Sequence, residues 1–409
     1  MEYGCIGEKL SHSFSKIIHA RLADYNYELC EIPRGGLDGF MKKADFKAIN
    51  VTIPYKQAVI PYLYYISDTA KKIGAVNTVV NKNGKLYGYN TDFSGLHALL
   101  VRQRADLKGG KVLILGSGGT SKTAAAVAED LGAKEIYRVS RSGSDGAITY
   151  DEAYKEHGDA TAIINTTPCG MYPNIGVSAI DLSRFENVKS VTDAVYNPLS
   201  SALVISARER GINATGGLYM LVSQAAYAVE KFTGGSISAD KTEEVYREIL
   251  RDKKNIVLIG MPGCGKTTIG KISADRLHKE FIDTDDEIIK RINMPIADYF
   301  VKNGEESFRK LESEVIKEIS ACRSSVLNPD NIRLLKENGT VIFIDRPLEK
   351  LVTTADRPLS SSRELLEKRY KERYGLYCAA ADVKIDAVNE IEQNVKNIEE
   401  VFLNENSCN

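Results

Sequence analysis

The stretch Lys111-Val-Leu-Ile-Leu-Gly-Ser-Gly-Gly-Thr-Ser-Lys-Thr123 constrains the fold of this chain more than any other. Val112 to Leu115 is a short apolar run closed by Gly116, the pattern of a parallel strand buried on both faces. Gly116, Gly118 and Gly119 let the backbone turn tightly and come close to a ligand. The Ala-rich run Thr123 to Leu131 reads as the helix that follows. Strand, glycine turn and helix N-terminus make an anion site, because free N–H groups and the helix dipole both favour a pyrophosphate. The third glycine position of the G-x-G-x-x-G pattern is Ser121, so a plain glycine turn in an α/β domain also fits this stretch.

The next apolar run, Glu135 to Val139, ends in Ser140-Arg141-Ser142. A fold that prefers NAD places Asp or Glu near this point to bind the ribose diol. A guanidinium flanked by hydroxyls instead suits a 2′-phosphate, by charge and by its forked donors. The expectation is NADP, with a solvated loop arginine as the alternative.

A length of 409 residues suggests about two to four domains. A formal net charge of −1 removes any electrostatic case for nucleic acid or an acidic membrane surface as partner. The cysteines, at 5, 30, 169, 264, 322, 378 and 408, are scattered and show no C-x-x-C pair. They read as free thiols in a reducing compartment, not as a disulfide frame or a zinc site. No basic segment followed by an apolar one opens the sequence, and no apolar run approaches the roughly 20 residues of a membrane span. The expectation is a cytoplasmic protein.

Residues 1 to about 95 form a first α/β unit. Strands are expected at Tyr3–Gly7, Tyr27–Pro33 and Phe46–Pro54, with Ser15 capping a helix from Lys16 to Ala23. Ser13, Ser15, Thr52 and Lys56 fall at strand ends or in the turns after them, the edge along which open α/β sheets bind ligands. Ile73–Val80 and Lys85–Tyr89 read as strands of a hairpin turning at Asn81-Lys-Asn-Gly84. Asn77 and Asp92 then lie near its two outer ends, where they can face one site. Asp92 also fits the N-cap of a helix from Phe93 to Arg102.

Ser11-His-Ser-Phe-Ser15, Asn50-Val-Thr-Ile-Pro-Tyr-Lys56, Gly74-Ala-Val-Asn-Thr78, Asn90-Thr-Asp92 and Gly116-Ser-Gly-Gly119 resemble shikimate dehydrogenases in order and spacing. Asn165–Met171, Asp193–Pro198 and Gly216–Gln224 continue the resemblance, which covers about residues 1 to 250. It implies reversible reduction of 3-dehydroshikimate by NADPH, with Lys56 and Asp92 as the catalytic pair. Ser13, Ser15, Thr52, Asn77 and Gln224 would bind the substrate's carboxylate and hydroxyls. Gly116, Ser117, Gly118, Gly119, Arg141 and Gly217 would hold the cofactor. The resemblance also implies that residues 220–250 return to residues 1–95 to complete a substrate lobe, with 96–219 as a Rossmann-like NADP domain.

A second beginning follows at Asn255-Ile-Val-Leu-Ile-Gly260. Gly260-Met-Pro-Gly-Cys-Gly-Lys-Thr267 satisfies G-x-x-x-x-G-K-[ST] between a strand and a helix. Backbone N–H groups of such a loop cradle phosphates, Lys266 neutralises their oxygens and Thr267 reaches Mg²⁺. Asp283 and Asp285 lie two apart, so on an extended segment both face one side. With Gly304–Arg309, Asp356–Leu359 and Arg373–Tyr377, residues 254–409 resemble shikimate kinases. By that resemblance Gly260, Gly263, Cys264, Gly265, Lys266, Thr267, Thr268 and Arg357 would bind ATP. Thr267 and Asp283 would hold Mg²⁺, Asp285 would act as base, and Arg309 and Arg373 would bind the shikimate carboxylate. The family's buried strand ending in three glycines is missing: the chain runs Glu318-Ile-Ser-Ala-Cys-Arg-Ser-Ser-Val-Leu-Asn-Pro329.

The expected architecture is therefore α/β throughout: a two-lobed dehydrogenase followed by a P-loop domain of nucleoside-monophosphate-kinase type. The substrates are small molecules. Two further readings stay open, a second half that only binds nucleotide or serves a structural role, and a dehydrogenase that also accepts quinate.

Overall fold

Short apolar runs supply the strands of three sheets in the computed structural model, which describes residues 1–10, 14–320, 329–351, 363–387 and 390–408. Ser13, Arg357 and residues 321–328 lie outside the described residues. The chain divides into two units, Met1–Ile249 and Leu250–Asn409.

In the first unit, β1 (Tyr3–Gly7), β2 (Tyr27–Glu31), β3 (Ala48–Val51), β4 (Tyr65–Ile66), β5 (Thr78–Lys82) and β6 (Lys85–Tyr89) form a six-stranded sheet ordered β2-β1-β3-β5-β6-β4. β1 pairs in parallel with β2 and β3, whereas β3–β5 and β5–β6 are antiparallel. Asn83 and Gly84 both have positive φ (52° and 80°), which the tight β5–β6 hairpin requires. Side chains alternate across the sheet. Ile6, Ile49, Val51 and Val79 pack with Met41 and Phe46. Cys5, Tyr27, Ala48 and Val80 pack with Ala228 and Phe232 of the helix Leu218–Thr233.

β7 (Lys111–Leu115), β8 (Glu135–Val139), β9 (Ala162–Asn165), β10 (Ser190–Asp193) and β11 (Asn213–Thr215) form a wholly parallel sheet ordered β11-β10-β9-β7-β8. One face packs Val112, Ile114, Ala162 and Ile164 on Leu96, Leu99, Ala124 and Val127. The other packs Leu113, Leu115, Ile163 and Val191 on Ala153, Leu203 and Val204. Helices on both faces explain why these strands read as unbroken apolar runs. The helices Thr91–Gln103 and Leu218–Thr233 approach closely at Gly95, where an added Cβ would lie 2.7 Å from the Met220 carbonyl oxygen and 2.9 Å from Gln224 Cβ.

Several local expectations are corrected. Phe14, not Ser15, holds the N-cap position of the helix Ser15–Leu22. Asn90 caps the helix Thr91–Gln103, its side chain accepting from the Phe93 N–H, so Asp92 lies in the first turn with its carboxylate directed elsewhere. The run from Ile73 is not one strand: the helix Asp68–Ile73 ends at Gly74 in the left-handed region, and β5 begins at Thr78. The helix after the glycine turn starts at Gly119, four residues before the Ala-rich run.

In the second unit β12 (Asn255–Ile259), β13 (Gly339–Asp345) and β14 (Val383–Asp386) are parallel, in that order. Their apolar faces bury Val257, Ile259, Val341, Phe343 and Ile385 with Val395, Ile398 and Phe402 of the helix Ile391–Cys408. Among the described residues, no strand pairs with the other edge of β12. Phe281–Asp283 forms no strand either, so Asp283 and Asp285 do not share an extended segment. Asp283 instead caps the helix Thr284–Ile292, accepting from the Asp285 N–H at 3.1 Å.

Candidate functional sites

In the first unit Lys56 lies in the turn after β3, and Asp92 follows β6 in the first turn of its helix. Lys56 Nζ lies 2.5 Å from Asp92 Oδ2, the carboxylate buried and the ammonium one-fifth exposed. The hairpin brings Asn77 to the same place. Asn77 Oδ1 accepts from the Thr91 N–H at 2.7 Å and from the hydroxyls of Thr78 and Thr91, at 3.1 and 3.2 Å. Its Nδ2 donates to Gln224 Oε1 at 3.3 Å, joining the hairpin to the helix Leu218–Thr233. An amide with its oxygen held three times has a fixed orientation, so its N–H₂ is presented in one direction. Thr52 is half-buried just beyond β3, its N–H donating to the Ile6 carbonyl.

The parallel sheet changes direction between β7 and β9, and open α/β sheets bind ligands outside the strand carboxyl ends at that point. Gly116 follows β7 with φ 121°, and a Cβ there would lie 2.6 Å from Thr166 Oγ1. Gly118 and Gly119 open the helix Gly119–Asp130, and an added Cβ at either would meet nothing within 4 Å. The turn therefore presents bare backbone and a helix N-terminus to open space, the setting a pyrophosphate needs. Ser121, in the missing glycine's place, is buried and donates to the Gly118 carbonyl at 2.7 Å. Arg141 is exposed beyond β8. Gly217 packs directly on the Ala194 backbone and leaves no room for a side chain. Asp193, at the end of β10, accepts from Asn165 Nδ2, the Val195 N–H and Ser201 Oγ at 2.9, 2.9 and 2.5 Å. Burial nonetheless pushes its carboxyl up to about 6.

In the second unit the loop between β12 and the helix Lys266–Arg276 has Gly260, Gly263 and Gly265 at φ 148°, 80° and 100°. Lys266 Nζ donates to the carbonyls of Gly260 and Met261 at 2.9 and 3.1 Å, and Cys264 is fully buried beneath the loop. Thr267 Oγ1 donates to Asp283 Oδ2 at 3.2 Å, which brings together the hydroxyl and carboxylate suited to a hydrated divalent cation. Thr268 and Asp285 are exposed nearby in the sequence.

Residues 5–79 match the family model for the shikimate dehydrogenase substrate binding domain, and residues 262–402 match that for shikimate kinase. The chain is 37% identical over 265 residues to a shikimate dehydrogenase (NADP(+)) of Clostridium perfringens strain ATCC 13124, covering 60% of this chain and 97% of the relative. The chain belongs to the shikimate dehydrogenase family. Among solved structures it resembles a chorismate mutase/shikimate 5-dehydrogenase fusion protein from Clostridium acetobutylicum (38% identity, TM-score 0.57, 61% of this chain and 97% of that one). It also resembles the Thermus thermophilus shikimate 5-dehydrogenase in complex with NADP(H) and shikimate (28% identity, TM-score 0.55, 61% and 99%). The shikimate dehydrogenase part is thus joined to a shikimate kinase domain in one chain.

Within the shikimate dehydrogenase unit, Lys56, Asp92, Asn77 and Gln224 meet, while the glycine turn and Arg141 lie along the other sheet. Thr78 and Thr91 also join the site; their motifs mark the stretches but not these hydroxyls, whose role appears only when the hairpin closes on Asn77. In the kinase domain, Arg309 Nη1 pairs with Glu312 Oε2 at 2.9 Å. Arg369 stands in no motif. It lies one helical turn before Arg373 in the helix Arg363–Ala380. Its pKa is held below the ordinary arginine value by burial and then by the charges of Arg373 and Arg309, so all three guanidinium groups share one neighbourhood.

Proposed function

We propose that the first unit interconverts 3-dehydroshikimate and shikimate with NADP(H), and that Lys56 and Asp92 manage the proton of that reaction. The observation carrying this reading is the 2.5 Å contact between Lys56 Nζ and Asp92 Oδ2, beside the oriented Asn77 amide. NADPH, when bound at the glycine turn, supplies the hydride. The Lys56 ammonium polarises the ring carbonyl and delivers a proton to the oxygen that becomes the new hydroxyl. Asp92 holds the Lys56 ammonium in position. Thr52, Asn77, Gln224 and Ser15, with Ser13 outside the described residues, bind the substrate's carboxylate and hydroxyls through neutral donors and acceptors. Gly116–Gly119 and Gly217 admit the cofactor backbone, and Arg141 takes its 2′-phosphate.

The second unit binds ATP at Gly260–Thr268. Thr267 and Asp283 hold Mg²⁺, Asp285 is the base toward the shikimate hydroxyl, and Arg309 and Arg373 face its carboxylate. Arg357 belongs to the same reading, though it lies outside the described residues. A weakened kinase is favoured by one observation: residues 320–328 contain no glycine for an acceptor loop. Cys5, Cys30, Cys169, Cys264 and Cys378 are free thiols. Steady-state kinetics with 3-dehydroshikimate and NADPH or NADH tests the first unit. Turnover with NADPH at lower Michaelis constant than NADH supports the reading; no turnover with either removes it.

A further inference from the structure

Asp345 and Arg346 are adjacent at the end of β13, yet they do not pair. Asp345 Oδ2 is already engaged, by Lys384 Nζ at 2.7 Å and by the Tyr374 hydroxyl at 2.8 Å. Arg346 is left with its Nε buried and, among the described residues, without a hydrogen-bond partner. Burying a guanidinium donor unpaired is costly, and such an atom in a native structure calls for an explanation. Its position supplies one. The carboxyl end of β13 lies against the phosphate loop: a Cβ on Gly260 would stand 2.6 Å from the Ile344 carbonyl oxygen. A Cβ on Gly265 would stand 3.9 Å from Arg346 Nη1. Gly265 caps the helix Lys266–Arg276 in the left-handed conformation, so its face toward Arg346 is kept clear of any side chain.

Resting on the reading of this loop as a nucleotide site, we propose that Arg346 is a further phosphate-binding residue of the second unit. Its guanidinium adds a forked, permanently charged donor to Lys266 and the loop N–H groups, and the nucleotide's polyphosphate completes its hydrogen bonds. The neighbouring carboxylate is engaged by the Lys384 ammonium and the Tyr374 hydroxyl, which leaves Arg346 available to an anion.

Calorimetric titration of the full chain with ADP and with adenosine tests this. Arg346→Met keeps the apolar stem and is expected to weaken ADP binding by about 10-fold or more, the scale of one charge-assisted hydrogen bond, while adenosine binding changes little. ADP affinity within about twofold of the unsubstituted chain, in a sample whose ADP binding is lost on Lys266→Met, overturns the role of Arg346 and leaves the nucleotide site standing. No ADP binding by the unsubstituted chain removes both. Independently of any substitution, ADP but not adenosine is expected to slow phenylglyoxal labelling of Arg346, followed by peptide mass spectrometry; equal labelling with and without ADP contradicts the proposal.

Discussion

At the scale of single residues, the first unit depends on one close ion pair and one amide. Lys56 and Asp92 are 36 positions apart in sequence and 2.5 Å apart in space. A partly buried ammonium beside a carboxylate is a costly arrangement to keep unless each stabilises the other. Lys56→Ala removes the proton donor but leaves Asn77, Gln224 and the glycine turn in place. Turnover is expected to fall by at least about 10²-fold, with a smaller change in the substrate's Michaelis constant. Full turnover with weakened binding would make Lys56 a binding residue only. His19 is a different case. Its ring stacks on Tyr27 at 3.8 Å between centroids, its Nδ1 meets the Tyr25 hydroxyl at 2.7 Å, and burial lowers its pKa to about 3. The unfolded chain binds this proton near pH 6.5, so the stability that His19 contributes is complete above that pH. It is lost as pH falls toward 3. In His19→Phe, thermal unfolding followed by circular dichroism is expected to lose much of its decline between about pH 6.5 and 4. An unchanged decline would assign the acid sensitivity elsewhere.

At the scale of elements, the helices Thr91–Gln103 and Leu218–Thr233 form the joint on which the site depends. The first carries Asp92 and the second carries Gln224. They approach so closely because Gly95 has no side chain. Glycine inside a helix ordinarily costs about 0.5–1 kcal/mol relative to alanine. Here the sign reverses, since a methyl would meet the Met220 carbonyl at 2.7 Å and Gln224 Cβ at 2.9 Å. Gly95→Ala is expected to destabilise the first unit by about 1–3 kcal/mol. The substrate's Michaelis constant should rise as well, because Gln224 is displaced. Scanning calorimetry beside steady-state kinetics checks both, and a higher melting temperature would show that the helices can part without cost.

At the scale of the whole molecule, the chain carries a shikimate dehydrogenase unit and a shikimate kinase domain. The two are expected to differ in competence. The parallel sheet of the first unit has five strands with helices on both faces. In the second, the strand leading into the phosphate loop is paired on one edge among the described residues. Phosphoryl transfer depends on positioning, and a misplacement of about 1 Å can cost about 10²-fold. With 3-dehydroshikimate, NADPH and MgATP in one sample, NADPH loss is expected to outrun ADP formation by at least about 10²-fold. Kinase turnover near about 10 s⁻¹, a median enzyme rate, would show that residues 320–328 meet the acceptor's needs without glycine.

Much of this organisation is legible in the amino-acid sequence alone. β1 and β6 begin and end where the apolar pattern and turn residues place them, and both glycine-rich loops stand between a strand and a helix, because local sterics and strand periodicity act within a few residues. Family membership, too, is readable from ordered motifs. Direction and partnership are not. Asp92 reads as a helix cap from its neighbours alone; only the hairpin and the Lys56 turn, packed together, make it a partner for an ammonium. Asp283 and Asp285 would face one side of an extended segment, yet Asp283 caps the helix Thr284–Ile292 and its carboxylate takes up the Asp285 N–H. Arg346 and Arg369 stand in no motif, and the motifs that contain Thr78 and Thr91 do not say what their hydroxyls bond. Their significance comes from which groups tertiary packing leaves beside them, and which it leaves without a partner.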